Sequence, residues 1–498
     1  MEIAFSRNTL DCLQRAVWEV KQTEQTQELK IPEAMPDIGT VLGAWGQRVI
    51  RGKTWHGNGM TVNGGIMVWV LYAPEDGTMP RTVESWIPWQ LHWDFPQTQR
   101  DGTMLVHTAL QELDARSVSA RKLMLRAVVS AAGEALEPVK MEYSMPMDVP
   151  ESVQIRKESY PLAVLREAGE KAFTLEEELK LPPGCADARK LMYCSLLPEI
   201  TDSKIMADKI VFRGNVHVHG LCRCEGDVLQ PFSLQLPFSQ YGELERSYAD
   251  SAEAWLSPEV SDLEPDLTEN GTLLLKAGVV GQYAVCDRPV VEIVTDAYCP
   301  TRVVDPQWEQ LEVPVILERR TDPILAEQTV QADGEAVLDA AFCMGHPVQS
   351  YGGEDPQLRQ IGNFRVLYIS DGGLRTADAA WEGQLQLPSA AETRLLSTVA
   401  MPMLPQTEQL PGQIHIQTQL QCHTVAVTDQ QIPMITGLEL GDPIPSDPGR
   451  PSLILRRVGK DSLWQIAKQS GSTVDAIRQA NNLEREPEPD SILLIPIA

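Results

Sequence analysis

Apolar and polar positions alternate along the chain in short runs. Residues 64–72 put Ile66, Val68 and Val70 on one side of an extended segment, and residues 414–420 alternate throughout. Successive side chains of a strand point to opposite faces, so this period of two indicates strands. Turn-forming residues separate the runs, which is typical of antiparallel β domains of the sandwich type.

The pattern returns after 150 residues. Four pairs share this spacing: 28–32 with 178–182, Asp37 with Asp187, Gly64 with Gly214, and 125–129 with 275–279. A more divergent copy is marked by residues 362–368, whose Gly-Asn start repeats Gly214-Asn215. Self-similarity at a fixed spacing indicates structural repeats. The sequence therefore predicts one repeat over 1–137, a second over 173–301 and a third over 302–439.

The segments around these copies give further expectations. Asp37 and Asp187 are residues of a helix-capping type, so each copy is expected to contain a short helix there. Residues 138–172 predict a linker, with helical character over 162–171. Four prolines in residues 440–452 predict an extended, semi-rigid linker, followed by a separate module.

The C-terminal end of the chain combines two apolar runs with two helical patterns. Residues 453–455 and 492–496 are expected to form strands. Between them, apolar positions three and four residues apart predict two short helices, the first capped by Asp461 or Ser462 and the second by Thr473. The predicted order is β-α-α-β, a small α+β module.

This order and its residues resemble the LysM domain. The resemblance is carried by residues 461–467, 473–477, 480–483 and 492–496. It implies a groove between the strand–helix loop and the helix–strand loop, which in this family binds N-acetylglucosamine polymers such as peptidoglycan glycan, or in some members a protein. The groove residues it implies are Gly459, Lys460, Asp461, Ser462, Asn481, Asn482, Leu483 and Asp490.

Two features of the module bear on its ligand. The LysM family usually has glycine where Lys460 stands, and a side chain there would narrow a sugar groove. Residues 453–498 contain six basic and six acidic side chains, so their net charge does not favour an anionic ligand. Glycan and protein both stay open as ligands of the groove.

The repeats resemble the SPOCS domain in residues 31–38, 64–72 and 119–129. Repeated SPOCS domains followed by one LysM domain are similar to the SipL-type spore-coat morphogenetic proteins of clostridia. This resemblance implies a cytoplasmic protein of the mother cell that reaches the forespore surface and the spore coat. It also implies docking through the LysM groove on a SpoIVA-like coat-basement ATPase, and through the repeats on other coat proteins.

Composition excludes several other partners. The chain has 498 residues and a formal net charge of −27, which argues against nucleic-acid binding and against adsorption to anionic lipid. No secretory signal and no membrane-spanning run are visible, so the nine cysteines are expected to be reduced thiols.

Candidate chemistry is sparse. The strongest metal candidate joins His217 and His219 to Cys222 and Cys224, but a regular strand puts the two pairs on opposite faces, so packing is favoured and no metal or cofactor is predicted. Seven of the eleven tryptophans lie in residues 18–93, where they fill a core or form a surface platform.

The sequence predicts a non-enzymatic scaffold for spore-coat assembly. The chain contains no phosphate-binding loop, no His-Glu-x-x-His helix and no Gly-x-Ser-x-Gly turn. A peptidoglycan-binding protein of the cell wall or spore cortex is the alternative. A hydrolase targeted by its LysM domain is a third hypothesis.

Overall fold

Strands form most of the protein, and two short helices lie near its C-terminus. The computed structural model describes residues 1–97, 101–350, 356–387, 393–445, 449 and 451–497. Three β repeats are followed by a small α+β module. The predicted fold class is therefore confirmed.

Repeat 1 consists of two antiparallel three-stranded sheets packed face to face. After the two-residue strand β1 (Glu2–Ile3), its strands are β2 (Phe5–Lys30), β3 (Ile38–His56), β4 (Gly59–Pro74), β5 (Arg81–Asp94), β6 (Thr103–Ser119) and β7 (Lys122–Pro146). The terminal sheet, which contains the first and last strands of the repeat, has the order β2-β7-β6. The middle sheet has the order β3-β4-β5. Ile66 and Leu125, fully buried on facing sheets, belong to one core.

Repeat 2 has the same strand order. After β8 (Gln154–Pro161), its strands are β9 (Val164–Lys180), β10 (Ala188–Met206), β11 (Lys209–Cys224), β12 (Leu229–Glu243), β13 (Glu253–Leu267) and β14 (Thr272–Asp287), and β15 (Val290–Tyr298) follows. The terminal sheet is β9-β14-β13 and the middle sheet is β10-β11-β12. β8 and β15 pair with each other, just beyond the ends of β9 and β14.

Repeat 3 fills the same positions with some strands divided. Its strands are β16 (Arg302–Gln331), β17 (Ala336–Met344), β18 (Val348–Ser350), β19 (Gln357–Ser370), β20 (Gly373–Gln386), β21 (Arg394–Ala400), β22 (Gln406–Leu410) and β23 (Gln413–Pro443). β23 pairs with β16 on one side and with β21 and β22 on the other, and β17, β18, β19 and β20 form the middle sheet. β1 adds to β23, so the N-terminus of the chain is tied to repeat 3.

An aromatic ring covers a glycine at one equivalent point of every repeat. Gly64 in β4 pairs with Trp89, and Gly214 in β11 pairs with Phe238. A Cβ at Gly64 would collide with the Trp89 ring and with the carbonyl oxygen of Val49, and Gly214 is enclosed in the same way. In repeat 3, Gly362 pairs with Trp381, but the ring that a Cβ at Gly362 would meet is that of Phe342. The spacing found in the sequence therefore reflects a packing requirement, because only glycine admits the ring and the neighbouring backbone.

The tryptophans near the N-terminus mostly fill cores. Trp89 and Trp93 are buried, and Trp93 donates its indole hydrogen to the Glu19 carbonyl at 3.0 Å. Trp86 is partly buried, with the Arg51 guanidinium 5.2 Å above its ring. Core packing, rather than a surface platform, is thus the main role of this cluster.

The three repeats pack against one another. Asp339 of repeat 3 is buried among side chains of both other repeats. It accepts a hydrogen bond from Trp45 of repeat 1 at 2.8 Å and from Tyr193 and His219 of repeat 2. Apolar residues of all three repeats also join one core around Trp45 and Tyr193, whose rings stack 5.0 Å apart. Nothing in the sequence indicates these long-range contacts.

Several local expectations are wrong. Most of the predicted linker 138–172 is strand, because β7 runs to residue 146 and β8 and β9 follow. Residues 164–171, predicted as helical, begin β9, where pairing with β14 outweighs the helical preference of the sequence. Asp37 caps no helix and instead pairs with Arg121 at 2.8 Å. Near Asp187 there is only a 3₁₀ turn, Pro183–Cys185, which ends before it.

The second predicted linker is part strand as well. Residues 440–443 complete β23. Residues 446–448 and 450 of the predicted 440–452 linker lie outside the described residues.

The C-terminal module has the predicted order. Its elements are β24 (Leu453–Arg457), α1 (Leu463–Ser470), α2 (Val474–Asn481) and β25 (Ile492–Pro496). The strands pair antiparallel, and Leu463, Ile466, Ile477 and Ile495 are fully buried between sheet and helices. In the described part of the chain, no helix has the length and apolar character that crossing a membrane requires.

Candidate functional site

Side-chain caps fix both helices of the C-terminal module. Ser462 accepts a hydrogen bond from the backbone N–H of Gln465, whose side chain accepts one in return from the backbone N–H of Ser462. Thr473 accepts from the backbone of Ala476 at 3.1 Å. Such caps satisfy N–H groups that a helix start leaves free. The cap at Ser462 therefore sets where loop 458–462, between β24 and α1, meets the helix.

The second loop, 482–491, lies against the first. The backbone N–H of Asp490 donates to the carbonyl of Val458 at 2.9 Å. Glu486 crosses between the loops, and its Oε2 accepts from the backbone N–H of Leu463 at 3.0 Å. A carboxylate is well placed there, because the start of a helix carries a partial positive charge. Sequence reasoning missed Glu486, since a glutamate in a polar loop gives no signal of the helix it will reach.

On loop 458–462, two of the predicted groove residues are exposed at the rim of the groove, and two stabilise the module itself. Gly459 and Lys460 are exposed, and a Cβ at Gly459 would meet no atom within 4 Å. Among the described residues, Lys460 forms no ion pair. Asp461 accepts a hydrogen bond from Arg456 at 2.6 Å, and Ser462 caps α1. Gly459 and Lys460 are therefore the residues of this loop that are free to meet a ligand.

On loop 482–491 and the end of α2, two of the predicted residues serve the module itself. Asn481 bonds both backbone groups of Leu494 and the carbonyl of Ile477, so it ties α2 to β25. Leu483 is partly buried against the core. Asn482 is exposed and ends α2 with a left-handed φ of 51°, and Asp490 contacts Arg457 at 3.1 Å.

Residues outside the two loops fix the module to repeat 2. Asp296 in β15 accepts hydrogen bonds from Trp464 Nε1 and Lys468 Nζ of α1, both at 2.7 Å. Tyr298 packs edge-on against the Trp464 ring and donates to the carbonyl of Ser472 at 3.0 Å. Burial favours the protonated form of Asp296, but the bonds from Lys468 and Trp464 outweigh it and lower the pKa of the carboxyl. These contacts therefore hold the module on repeat 2, in addition to the chain segment that joins it to repeat 3.

This docking involves α1 and the turn after it. The contacts come from Trp464, Lys468 and Ser472, and none comes from Gly459, Lys460 or Asn482. Those three rim residues are exposed. The docked module thus presents its rim to solvent.

Comparison with known protein families identifies the module. Residues 460–496 match the LysM domain family. The match covers α1, α2 and β25 of the predicted module, begins after β24, and does not extend into the three repeats. Comparison with curated proteins and with solved structures gives no match. A LysM domain is thus established for the C-terminal module, and this family supports binding of peptidoglycan or of another N-acetylglucosamine polymer.

The metal candidate of the sequence does not assemble. His217 contacts Glu199 at 3.1 Å, and His219 is engaged by Asp339. Cys222 and Cys224 are buried on the other face of β11, as a regular strand predicts. Across the described residues, no group of histidine, cysteine and acidic side chains has the arrangement of a metal site.

Proposed function

We propose that the LysM module binds an N-acetylglucosamine polymer between loops 458–462 and 482–491. The observation that carries the proposal is the LysM match together with the orientation of the module, whose docked face leaves the loop rim exposed. Such a polymer presents neutral hydroxyl and acetamido groups, which backbone amides and side-chain amides recognise. Gly459 offers an unshielded backbone for close approach, and Asn482 adds an exposed amide.

Sedimentation of the full chain with purified peptidoglycan tests this proposal. A bulky group at Gly459 enters open space, so Gly459→Trp is expected to block the rim without disturbing the module. We expect this variant to lose at least about tenfold in affinity for peptidoglycan, or for soluble chitin oligomers in calorimetry. Gly52→Trp, at an equally open glycine of repeat 1, is the matched control and is expected to bind normally. Absence of binding by the unmodified chain would overturn the proposal.

A protein-docking scaffold is the second candidate. The side chain of Lys460, where the family usually has glycine, and the ion pairs Arg456–Asp461 and Arg457–Asp490 make the rim charged, which suits a protein surface. With the SPOCS resemblance of the repeats, this supports a non-enzymatic scaffold in spore-coat assembly. Its partners would be a SpoIVA-like ATPase at the LysM rim and other coat proteins at the repeats, and its location the mother-cell cytoplasm and the forespore surface.

A pull-down from sporulating cells separates the two candidates. The scaffold predicts capture of the coat ATPase by the full chain, and a loss of at least about fivefold on Lys460→Glu. Lys204→Glu, at an exposed lysine of repeat 2, is the control. Capture that is unaffected by Lys460→Glu, combined with peptidoglycan binding that Gly459→Trp removes, would favour the glycan proposal alone.

A further inference from the structure

A cavity of about 350 Å³ lies where the three repeats meet. It is bounded by β3 and β6 of repeat 1, β10 and β13 of repeat 2, and β17 and β21 of repeat 3. Its volume is in the range of pockets that hold small molecules, roughly 300–1,000 Å³. It is separate from the LysM module, none of whose residues lines it.

Much of the cavity wall is apolar. Leu105, Leu165 and Leu396 are buried residues contributed by repeats 1, 2 and 3 respectively. The rings of Trp18 and Trp255 also line it and are only partly buried. An apolar ligand segment would gain free energy by leaving water for this wall.

The three carboxylates in the wall are already matched by cations or donors. Glu134 forms an ion pair with Arg15. Glu259 accepts two hydrogen bonds from Thr108 and lies 3.8 Å from Arg48. The third carboxylate, Asp339, has the three donors described above.

His219 supplies the positive charge that matches Asp339. Burial favours the neutral ring, but the Asp339 charge and its hydrogen bond outweigh it, and the pKa of His219 is raised. Burial likewise favours protonated Asp339, but His219, Tyr193 and Trp45 keep its pKa lowered. Both shifts favour the imidazolium–carboxylate form of the pair, which carries no net charge.

Arg319 is the surplus cation of this wall. Its guanidinium carbon lies 4.9 Å from the centre of the Trp255 ring, and within the described residues it forms no ion pair. His107 and His423 also line the cavity, and burial lowers the pKa of both, for His107 to about 3. Both histidines are therefore neutral near pH 7. Arg319 is thus the cation of the lining that no carboxylate of the wall pairs with, and the charge of Glu253, which lies outside the wall and pairs with Arg288, acts on it from farther away.

We propose that this cavity binds an amphipathic monocarboxylate, with the carboxylate on Arg319 and the apolar chain along the leucines between the repeats. Arg319 is exposed while it lines the cavity, so a ligand can reach it from solvent. A guanidinium suits a carboxylate because it offers two parallel N–H donors. The charge of Arg319 matches the anionic head of such a ligand, and the apolar wall matches its apolar tail.

Calorimetry on the full chain with octanoate, 1-octanol and octylammonium tests the proposal. These probes share a tail and differ in the charge of the head. We expect octanoate to bind at least about tenfold more tightly than octylammonium, with octanol between them. Binding is also expected to change the fluorescence of the cavity tryptophans.

Two variants locate the site. Arg319→Gln is expected to weaken octanoate binding about tenfold and to leave octanol binding unchanged, which also shows that the cavity is still folded. Arg320→Gln is the control, because Arg320 is held by Asp322 at 2.6 Å and does not line the cavity. No binding of any probe, equal affinity for octanoate and octylammonium, or octanoate binding unaffected by Arg319→Gln would each overturn the proposal.

Discussion

The indole Nε1 of Trp464 lies 2.7 Å from Oδ2 of Asp296, and this bond joins the LysM helix α1 to the last strand of repeat 2. Its two ends are 168 residues apart. Lys468 adds a charged bond to the same carboxylate. The LysM module therefore has a defined orientation on the β body, and its rim residues Gly459, Lys460 and Asn482 take no part in the contact.

Replacement of Asp296 by alanine is expected to release the module. Trp464 and Lys468 would lose their acceptor, at a cost of about 1–2 kcal/mol after allowance for the partial exposure of Lys468. Faster proteolysis between residues 443 and 453 and a larger maximum dimension in solution scattering would report the release. Glu292→Gln on the same strand is the control, and equal cleavage of the two variants would contradict the docking role of Asp296.

Asn481 is expected to support the module rather than to bind its ligand. Asn481→Ala removes three hydrogen bonds and is expected to lower the free energy of opening of α2 and β25 by about 2–3 kcal/mol, measured by amide hydrogen exchange. Asn482→Gly suits the left-handed φ of 51° and should leave exchange unchanged. If Asn481→Ala lowered glycan affinity without faster exchange, a direct ligand role would be indicated instead.

Gly64 and Gly214, the glycines that face an aromatic ring across the sheet, are expected to tolerate no side chain. Gly64→Ala forces a Cβ against the Val49 carbonyl and the Trp89 ring, so we expect a loss of about 3 kcal/mol in the free energy of unfolding by urea. Gly52→Ala in β3 meets no neighbouring atom and is expected to change this energy by less than about 1 kcal/mol. Similar losses for both variants would show that close packing at Gly64 is not the cause.

The His219–Asp339 pair predicts a pH dependence of stability. The pKa of His219 is raised, so its stabilising contribution is complete below the unfolded value of about 6.5 and is lost as pH rises through the folded value. The pKa of Asp339 is lowered, so its contribution is present above about 3.9 and is lost as pH falls through its folded value. The pair should therefore contribute most between these two limits.

Urea unfolding at about pH 6 and pH 8.5 measures this dependence. The unmodified chain is expected to lose more stability across this interval than His219→Asn does, by about 1.4 kcal/mol for each unit of the His219 pKa difference. His217→Asn, two residues away on β11, should keep the full dependence. If His219→Asn showed the same pH slope as the unmodified chain, another group would be responsible.

Local patterns predicted much of this protein. The alternation over residues 64–72 predicts the strand that the structure has as β4. The 150-residue spacing of Gly64 and Gly214 predicts two copies, and the structure has the same strand order in both. The capping rule, which joins residues three positions apart, predicts Thr473 as one cap and Asp461 or Ser462 as the other, and the structure has the caps at Ser462 and Thr473. These features depend on near neighbours in the chain, which a sequence displays directly.

Predictions from the local sequence pattern fail where long-range pairing competes with local preference. Residues 164–171 have a helical composition, yet β14 pairs with all of them except Arg166, where the register shifts. The LysM resemblance implies Asn481 as a groove residue, and nothing near it in the sequence shows that β25 also uses its side chain. Glu486 and Asp296 gave no signal, since each acts on a group that only folding brings near.

Periodicity and capping are properties of the chain, so the β repeats and the LysM module are predicted from the sequence alone. The common cavity of the repeats and the contact of Asp296 with the LysM helix follow only from the folded structure. Those features depend on side chains hundreds of residues apart, such as Trp45 and Asp339, whose hydrogen bond exists only after three separate sheets have packed together.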